Sequence, residues 1–481
     1  MTGTPRRRHV QVKSLASVDA FRSHCEDVGA EIPVDDVIAT GDGAPLAQPL
    51  DTEAGRLGNR LAILPMEGWD GTNDGRPTDL VRRRWSRFGS SGADLIWGGE
   101  AFAVQHAGRA NPHQLVIEER TADDIAGLRR TLRDGRAEAG LDGEPVIGLQ
   151  LTHSGRFSRP DDEPRPRIAY RHPVLDARVG AGGDDVLSDD DLDALVGRFV
   201  AAAVIAEQAG FDFVDVKHCH GYLGHELLSG VDRPGPYGGT FEGRTRFLRS
   251  VVEGIGSAAP RLVIGVRLSV FDLVAFRPGP DGVGEPDIAG DGADAPFAFG
   301  GSADGLRPDL RETHRFCDLL GDLGVGLLCV TAGSPYYNPH IQRPAYFPPS
   351  DGYRPPEDPL VGVARILTAT AEIKARHPGL VVVASGLSYV QDWFGHVAQA
   401  VVGQGVADVV GLGRMVLSYP TLPADLLAGR PFERRLVCRT FSDCTTAPRN
   451  GLVSGCYPLD PLYKDSDARV QLAAAKRRTR D

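Results

Sequence analysis

Lysine is nearly missing from this sequence: only Lys13, Lys217, Lys374, Lys464 and Lys476 occur among 53 lysine and arginine residues. A lysine inside an apolar run is therefore conspicuous. No apolar run approaches the roughly 20 residues needed to cross a bilayer, so no membrane partner is expected. The basic opening MTGTPRRRHVQVKS is followed by neither an apolar stretch nor a small-residue cleavage site. It reads as a frayed arm rather than a signal peptide. Clustered cations are lacking too. The net charge is −11 with the acids spread along the chain, which argues against nucleic acid as a partner, because phosphate neutralisation needs concentrated positive charge. The terminal KRRTR reads as a solvated tail. The seven cysteines are odd in number and scattered through 481 residues, enough chain to bury a core without disulfide staples. Reduced thiols and a cytoplasmic location are expected.

What is present is a rhythm. From about residue 58, short β-branched runs alternate with longer amphipathic stretches. The runs are Arg60–Met66, Asp94–Gly98, Val146–Leu151, Phe213–Lys217, Leu262–Leu268, Gly326–Thr331, Leu380–Ala384 and Asp408–Leu412. Each is continuously apolar rather than alternating, as a strand covered on both faces should be. Between them lie helical patterns such as TDLVRRRWSRFG, TADDIAGLRRTLRDG, SDDDLDALVGRFVAAAVIAEQAG and DPLVGVARILTATAEIKA. Several open on Ser, Thr or Asp and close in Gly, the usual caps. Eight such units predict an α/β fold, a (β/α)8 TIM barrel. The competing doubly wound sheet lacks its glycine-rich loop after the first strand. Residues 1–45 are expected to form an N-terminal arm, 46–435 the barrel, and 436–481 a short C-terminal extension packed upon it. Two linkers rich in Gly, Pro and Asp leave the third and fifth strands, SGRFSRPDDEPRPRIAYRHPVLDARVGAGGDD and FDLVAFRPGPDGVGEPDIAGDGADAPFAFGGSADG. In a barrel both would lie over the active face, as lids or substrate walls.

Barrel chemistry sits where strands end. Ser385 and Gly386 follow the seventh strand, and Gly413 and Arg414 the eighth. Glycine bares backbone N–H groups there, the usual phosphate site of this fold, and Arg414 adds a bidentate cation. Gln150 and Arg267 are polar groups at the ends of otherwise apolar strands, and a buried arginine needs an anionic or carbonyl partner. The fourth strand ends in the densest cluster: Lys217, His218, His220, Tyr222 and His225.

At that cluster the chain resembles a known family. HGYLGHELLS, followed by PYGG and a helix opening GRTRFLRSVVEGI, resembles the old yellow enzyme family of FMN oxidoreductases. PM after the first strand, QLTHSGR after the third, VRLS at the fifth and GLGR at the eighth stand in that family's order. The resemblance covers roughly residues 45–435. It implies an FMN-binding barrel with NADH or NADPH as reductant, acting on a small-molecule substrate. Pro65, Met66, Glu67, Ala101, Gln150 and Arg267 would then lie around the isoalloxazine, and Ser385, Gly386, Gly413 and Arg414 would hold the phosphate. His220 would bind the substrate's carbonyl oxygen. Tyr222 would protonate the carbon beside it after hydride transfer, and Lys217 would complete the candidate catalytic set. An oxidative dehydrogenase or demethylase of the same superfamily is the alternative direction. From another class, a metal-dependent barrel hydrolase would use the His218/His220 pair, but the neighbouring strand ends offer Glu67, Gln150, His153 and Arg267, a poor metal shell.

The sequence departs from that family in three places. Lys217 stands where the family usually has the first of two histidine donors. Glu67 stands where a small Thr or Cys is common, and an ion pair between Glu67 and Lys217 across the barrel mouth is the expected compensation. Finally, Cys438, Cys444 and Cys456 resemble the cluster region of the dienoyl-CoA reductase and trimethylamine dehydrogenase branch. Phe441 occupies one cysteine's place there, so no 4Fe-4S cluster and no other metal is expected.

Overall fold

The eight apolar runs become the staves of a closed barrel. The computed structural model describes residues 9–288 and 295–478. Its strands are β1 (Leu50–Thr52), β2 (Gly55–Leu57), β3 (Leu61–Ile63), β4 (Leu95–Ile96), β5 (Ala101–Ala103), β6 (Val146–Thr152) and β7 (Phe213–Val216). They continue with β8 (Val263–Ser269), β9 (Phe276–Pro278), β10 (Gly284–Pro286), β11 (Leu327–Thr331), β12 (Val381–Ala384) and β13 (Val409–Leu412). The large sheet runs β4-β3-β13-β12-β11-β8-β7-β6-β5, and the pairing of β4 with β6 closes it. Every ladder in it is parallel.

β4 and β5 are two pieces of one stave, where the sequence pattern predicts a single strand over Asp94–Gly98. The break falls at Gly98 and Gly99, whose φ values are 146° and 57°. A Cβ at Gly99 would lie 2.5 Å from the Trp85 ring. The stave therefore kinks where only glycine can pass under that indole, and it rejoins β6 with Ala101 opposite Gln150.

The predicted helices form between strands, and their caps explain where they start. Ser188 accepts from the Asp191 N–H ahead of the helix Asp189–Gln208, closing a capping box. Asp358 accepts from the Leu360 N–H ahead of Pro359–Arg376. No helix among the described residues is long and apolar enough to cross a membrane.

The lower barrel interior is carbon. Leu57, Ala62, Leu95, Trp97, Val146, Phe213, Leu327, Cys329, Val383 and Val409 make one buried cluster. The β1–β2 hairpin seats Leu57 in it and packs Leu50 against it from below. Gly148 makes room for Phe213, since a Cβ there would sit 2.2 Å from the ring.

The flanking segments differ from the expected arm and tail. Residues 1–8 of the arm lie outside the described residues, but from His9 onward it is not frayed: Val12 is fully buried and Val18–Asp27 is helical. The KRRTR segment is reached by the helix Asp467–Arg478, and Lys476 donates to Asp443 at 2.5 Å rather than standing free in solvent. The C-terminal residues carry a small core of their own, Ala447, Tyr457, Tyr463 and Leu472 against Leu80. They are pinned by Asp460, which accepts from Arg83 at 2.9 Å through both oxygens and from Arg87. The linker after the fifth strand contains the antiparallel pair β9–β10, which continuous Gly, Pro and Asp content concealed. Its residues 289–294 lie outside the described residues.

Candidate active site

Above the apolar layer the strand ends open into a cavity of about 600 Å3. Pro65, Met66, Glu67, Gln150, Lys217, His220, Tyr222, Arg267, Ser385, Gly386, Gly413 and Arg414 all line it. Thus twelve of the thirteen predicted site residues meet in one place. Ala101 does not line it; it lies beside Gln150 on the adjacent strand, giving its carbonyl to the Gln114 amide at 2.9 Å.

One buried carboxylate organises the floor. Asp215 accepts from Trp97 Nε1 at 2.8 Å, from Gln150 Nε2 at 2.6 Å and from the Arg267 backbone N–H at 2.7 Å. Burial raises its pKa, and these donors oppose the rise. With its amide nitrogen held by Asp215, Gln150 keeps its carbonyl oxygen for the cavity. Arg267 reaches the Pro65 carbonyl at 3.3 Å through Nη1, while its Nε is buried without a partner.

The other end of the cavity is cationic. Arg414 donates through Nη2 to the Pro344 carbonyl at 3.0 Å, and its Nη1 is buried and unpartnered. Arg343 donates to Thr445 and leaves Nη2 unpartnered. Burial, with Arg414 and Arg449 nearby, pushes Arg343 down to about 9. Gly386 takes a left-handed φ of 86° at the strand end. The Ser385 hydroxyl is spent on the Val330 carbonyl at 2.6 Å. A guanidinium N–H buried without an acceptor costs about 1–3 kcal/mol. Three of them around one cavity call for an anionic, acceptor-rich occupant.

The reacting end is built on the turn after β7. His220 has φ 67°, a left-handed conformation costly for a non-glycine residue. It is held there by its N–H donating to Ser269 Oγ at 3.0 Å and by its carbonyl accepting from Ser334 Oγ at 2.9 Å. Its Nε2 meets Thr331 Oγ1 at 3.3 Å and the Gln342 amide at 3.2 Å. Burial, with Arg267 and Lys217 beside it, holds this imidazole well below its usual pKa and therefore neutral. Lys217 Nζ lies 3.7 Å over the Tyr222 ring. Burial lowers the pKa of this ammonium.

The expected Glu67–Lys217 ion pair is not formed. Glu67 is taken instead by the Tyr222 hydroxyl at 2.5 Å and by the Asn111 amide at 3.3 Å. Lys217 and Tyr222 leave the same turn toward the same space, and the phenol reaches the carboxylate first. The Tyr222 oxygen also meets the Tyr336 hydroxyl at 2.8 Å, and Tyr336 stacks on Phe157 at 4.0 Å between centroids.

The His218/His220 pair does not converge on a common point. His218 gives Nδ1 to the Val216 carbonyl at 2.9 Å and packs on Phe316 of the helix Arg311–Asp322, outside the barrel. No group of three His, Cys, Asp or Glu able to hold a metal occurs among the described residues. Cys438, Cys444 and Cys456 are free thiols.

Several lining residues went unread in the sequence. Tyr336, Gln342 and Arg343 follow the sixth strand, and Thr445, Arg449 and Ser454 come from the C-terminal segment. SPYYN directly after an apolar strand was the available signal for the first group. Nothing local marks the second.

Comparison with known proteins agrees with this geometry. Residues 45–281 match the NADH:flavin oxidoreductase / NADH oxidase family. Over 211 residues the chain is 29% identical to an NADPH dehydrogenase of Clostridium acetobutylicum, covering 43% of this chain and 58% of that one. The aligned part is thus under two thirds of that relative. Among solved structures, histamine dehydrogenase of Rhizobium sp. 4-9 superposes with a TM-score of 0.62 at 20% identity, over 85% of this chain and 51% of that one. The old yellow enzyme homologue of Zymomonas mobilis gives 0.55 at 21% identity, over 80% and 93%. Both likenesses are likenesses of fold. The match over residues 45–281, just under half of the chain and carried on this closed parallel barrel, is a similarity to the NADH:flavin oxidoreductase / NADH oxidase family.

Proposed function

We propose that the cavity holds FMN and that the chain uses NADH or NADPH to reduce a small alkene conjugated to a carbonyl. The observation that carries this reading is the set of unpartnered guanidinium N–H groups of Arg267, Arg343 and Arg414 around one cavity. Arg414, with the backbone at Gly386 and Gly413, would hold the phosphate. Gln150 and Arg267 would hold the pyrimidine edge, where a fixed cation favours the negative charge that reduction brings. Bound FMN would supply the hydride chemistry, between the nicotinamide and the substrate's β-carbon.

The chain's own residues do the rest. His220, neutral, and Lys217, with no carboxylate within ion-pair distance among the described residues, face the space where the carbonyl oxygen would lie. Charge growing on that oxygen is stabilised by the ammonium far more than by imidazole alone, because the site is poorly solvated. Tyr222 delivers the proton to the α-carbon. A second reading, oxidation of an amine or alcohol, is favoured by one observation: the Tyr222 hydroxyl already donates to Glu67, so it faces the cavity with a lone pair that can take a proton.

The test is a purified sample's visible spectrum and FMN content, followed by cyclohexenone turnover with each nicotinamide. Yellow protein with near-stoichiometric FMN and enone-dependent NAD(P)H oxidation is expected. A colourless protein that refuses added FMN would overturn the reading.

A further inference from the structure

A phenol that donates to a carboxylate cannot hold its proton toward the substrate at the same time. Tyr222 has one proton, and it lies on the 2.5 Å contact to Glu67 Oε2. Were Tyr222 to give that proton to carbon while Glu67 stayed ionised, a phenolate and a carboxylate would be left in contact in a buried site, which is strongly unfavourable. The neighbourhood does not remove this difficulty. Lys217 lies over the ring face rather than at the oxygen, and Tyr336 brings a second phenol at 2.8 Å. Arg449 is 6.0 Å from the Tyr336 ring and is paired with Asp351. Arg267 at the end of β8 and Arg343 just past the short helix Pro339–Gln342 both line the cavity, with Arg267 on the Pro65 carbonyl.

We propose that Glu67 is the proton-holding residue behind Tyr222, so that the proton delivered to or taken from substrate is stored on the Glu67 carboxyl and passes through a phenol that is neutral before and after. In the reducing direction the Tyr222 O–H bond breaks as the substrate's C–H bond forms. The Glu67 O–H bond breaks as a new Tyr222 O–H bond forms, and Glu67 is left as a carboxylate to be reprotonated from solvent. In the oxidising direction each step reverses: an acidic substrate proton moves to the Tyr222 oxygen, and the phenol's own proton moves to Glu67. The protonation state of one carboxyl thus selects which direction Tyr222 can serve. Glu67 acts through Tyr222 and is a positioning residue in that sense, held in place by Asn111 at 3.3 Å. This inference rests on the reading of Tyr222 as the substrate's proton partner. The contact that carries it exists whether or not FMN is bound.

The test uses the full chain as purified, with tyrosine labelled with 13C at Cζ and the Tyr222 resonance assigned by Y222F. Acidification should move that resonance in one step as Glu67 takes up a proton. The step should vanish in Glu67→Gln and survive, displaced, in Glu67→Asp, which keeps a carboxyl if the glutamine variant folds poorly. In Glu67→Gln the alkaline ionisation of Tyr222 should also fall by about one pH unit or more, the effect of removing an adjacent charge. A step that persists in Glu67→Gln, or is missing from both the parent and Glu67→Asp, overturns the proposal. Steady-state rates of the FMN-loaded chain add a second readout: the ionisation seen by NMR should recur in the parent's kcat–pH profile and be absent from that of Glu67→Gln. Its absence from the parent profile also overturns the relay. A chain that binds no FMN yet shows the Glu67-dependent NMR step removes the oxidoreductase reading alone, whereas a yellow chain without the step removes the relay alone.

Discussion

Along six staves the residue that fills the lower barrel and the residue that faces the cavity stand four positions apart: Val146 and Gln150, Phe213 and Lys217, Val263 and Arg267, Leu327 and Thr331, Val381 and Ser385, Val409 and Gly413. Four residues are two full pleats, so each pair shares one face of its strand. The same backbone direction therefore meets carbon at one end and cations, amides and hydroxyls at the other. Burying a Phe or Val in the lower layer stabilises by about 1.5–3 kcal/mol. An unpartnered guanidinium N–H in the upper layer costs a similar amount. The lower end holds the fold together, and the upper end spends part of that stability on a site that is incomplete without an occupant.

The sharpest way to break this division is at its base. Phe213→Ala should lower unfolding stability by about 3–5 kcal/mol in urea melts, with FMN affinity of the remaining folded protein near the parent value. A loss seen mainly in FMN affinity would mean the two ends are not separable. Arg267→Met should do the opposite. The unfolding free energy of the apoprotein should hold or rise, since a buried unpaired charge is removed, while kcat/KM falls on the order of 10²- to 10³-fold. Gly148→Ala tests the packing beneath the site: its methyl meets the Phe213 ring at 2.2 Å, and an overpacking cost of about 1–3 kcal/mol should appear as a lower melting temperature.

Lys217→Met should give the smallest change in stability and the most selective change in kinetics. Stopped-flow should find reoxidation by the enone slowed about tenfold or more, with reduction by NAD(P)H much less affected. Equal slowing of both would argue against a carbonyl-binding role. Burial lowers the folded-state pKa of Lys217, so the folded chain holds that proton less tightly than the unfolded chain does. The penalty is complete below the folded pKa and disappears as pH rises past lysine's ordinary value of about 10.4. The stability advantage of Lys217→Met over the parent should therefore be greatest near neutral pH and shrink in alkaline melts.

Strand positions were readable because a stave covered on both faces must be apolar throughout, and all eight runs formed strands within a few residues of their predicted ends. The site was readable where a polar residue interrupts such a run, as Gln150, Lys217 and Arg267 do. Ala101 shows the limit of that reading: small and apolar, it carries nothing to say whether it lines the cavity or only pairs beside Gln150. Glu67 shows another. Its chemistry was visible, but the choice between Lys217 and Tyr222 as partner depends on how the turn after β7 unwinds, and that turn is set by Ser269 at the end of β8 and Ser334 in the loop after β11, which hold His220 from two sides. Arg343, Thr445 and Arg449 were illegible for the same reason, since contacts more than a hundred residues apart leave no local period.

The tail that walls the cavity follows the whole barrel in the chain. Thr445, Arg449 and Ser454 are synthesised after β13, the last stave, so the barrel can close before its outermost wall exists. In the folded chain that wall is tied back to the barrel by Asp460 on Arg83 and Arg87. The staves and the outer wall of one cavity are thus separate stretches of chain joined through that ion pair, and the lining of each can be altered by substitution without touching the other.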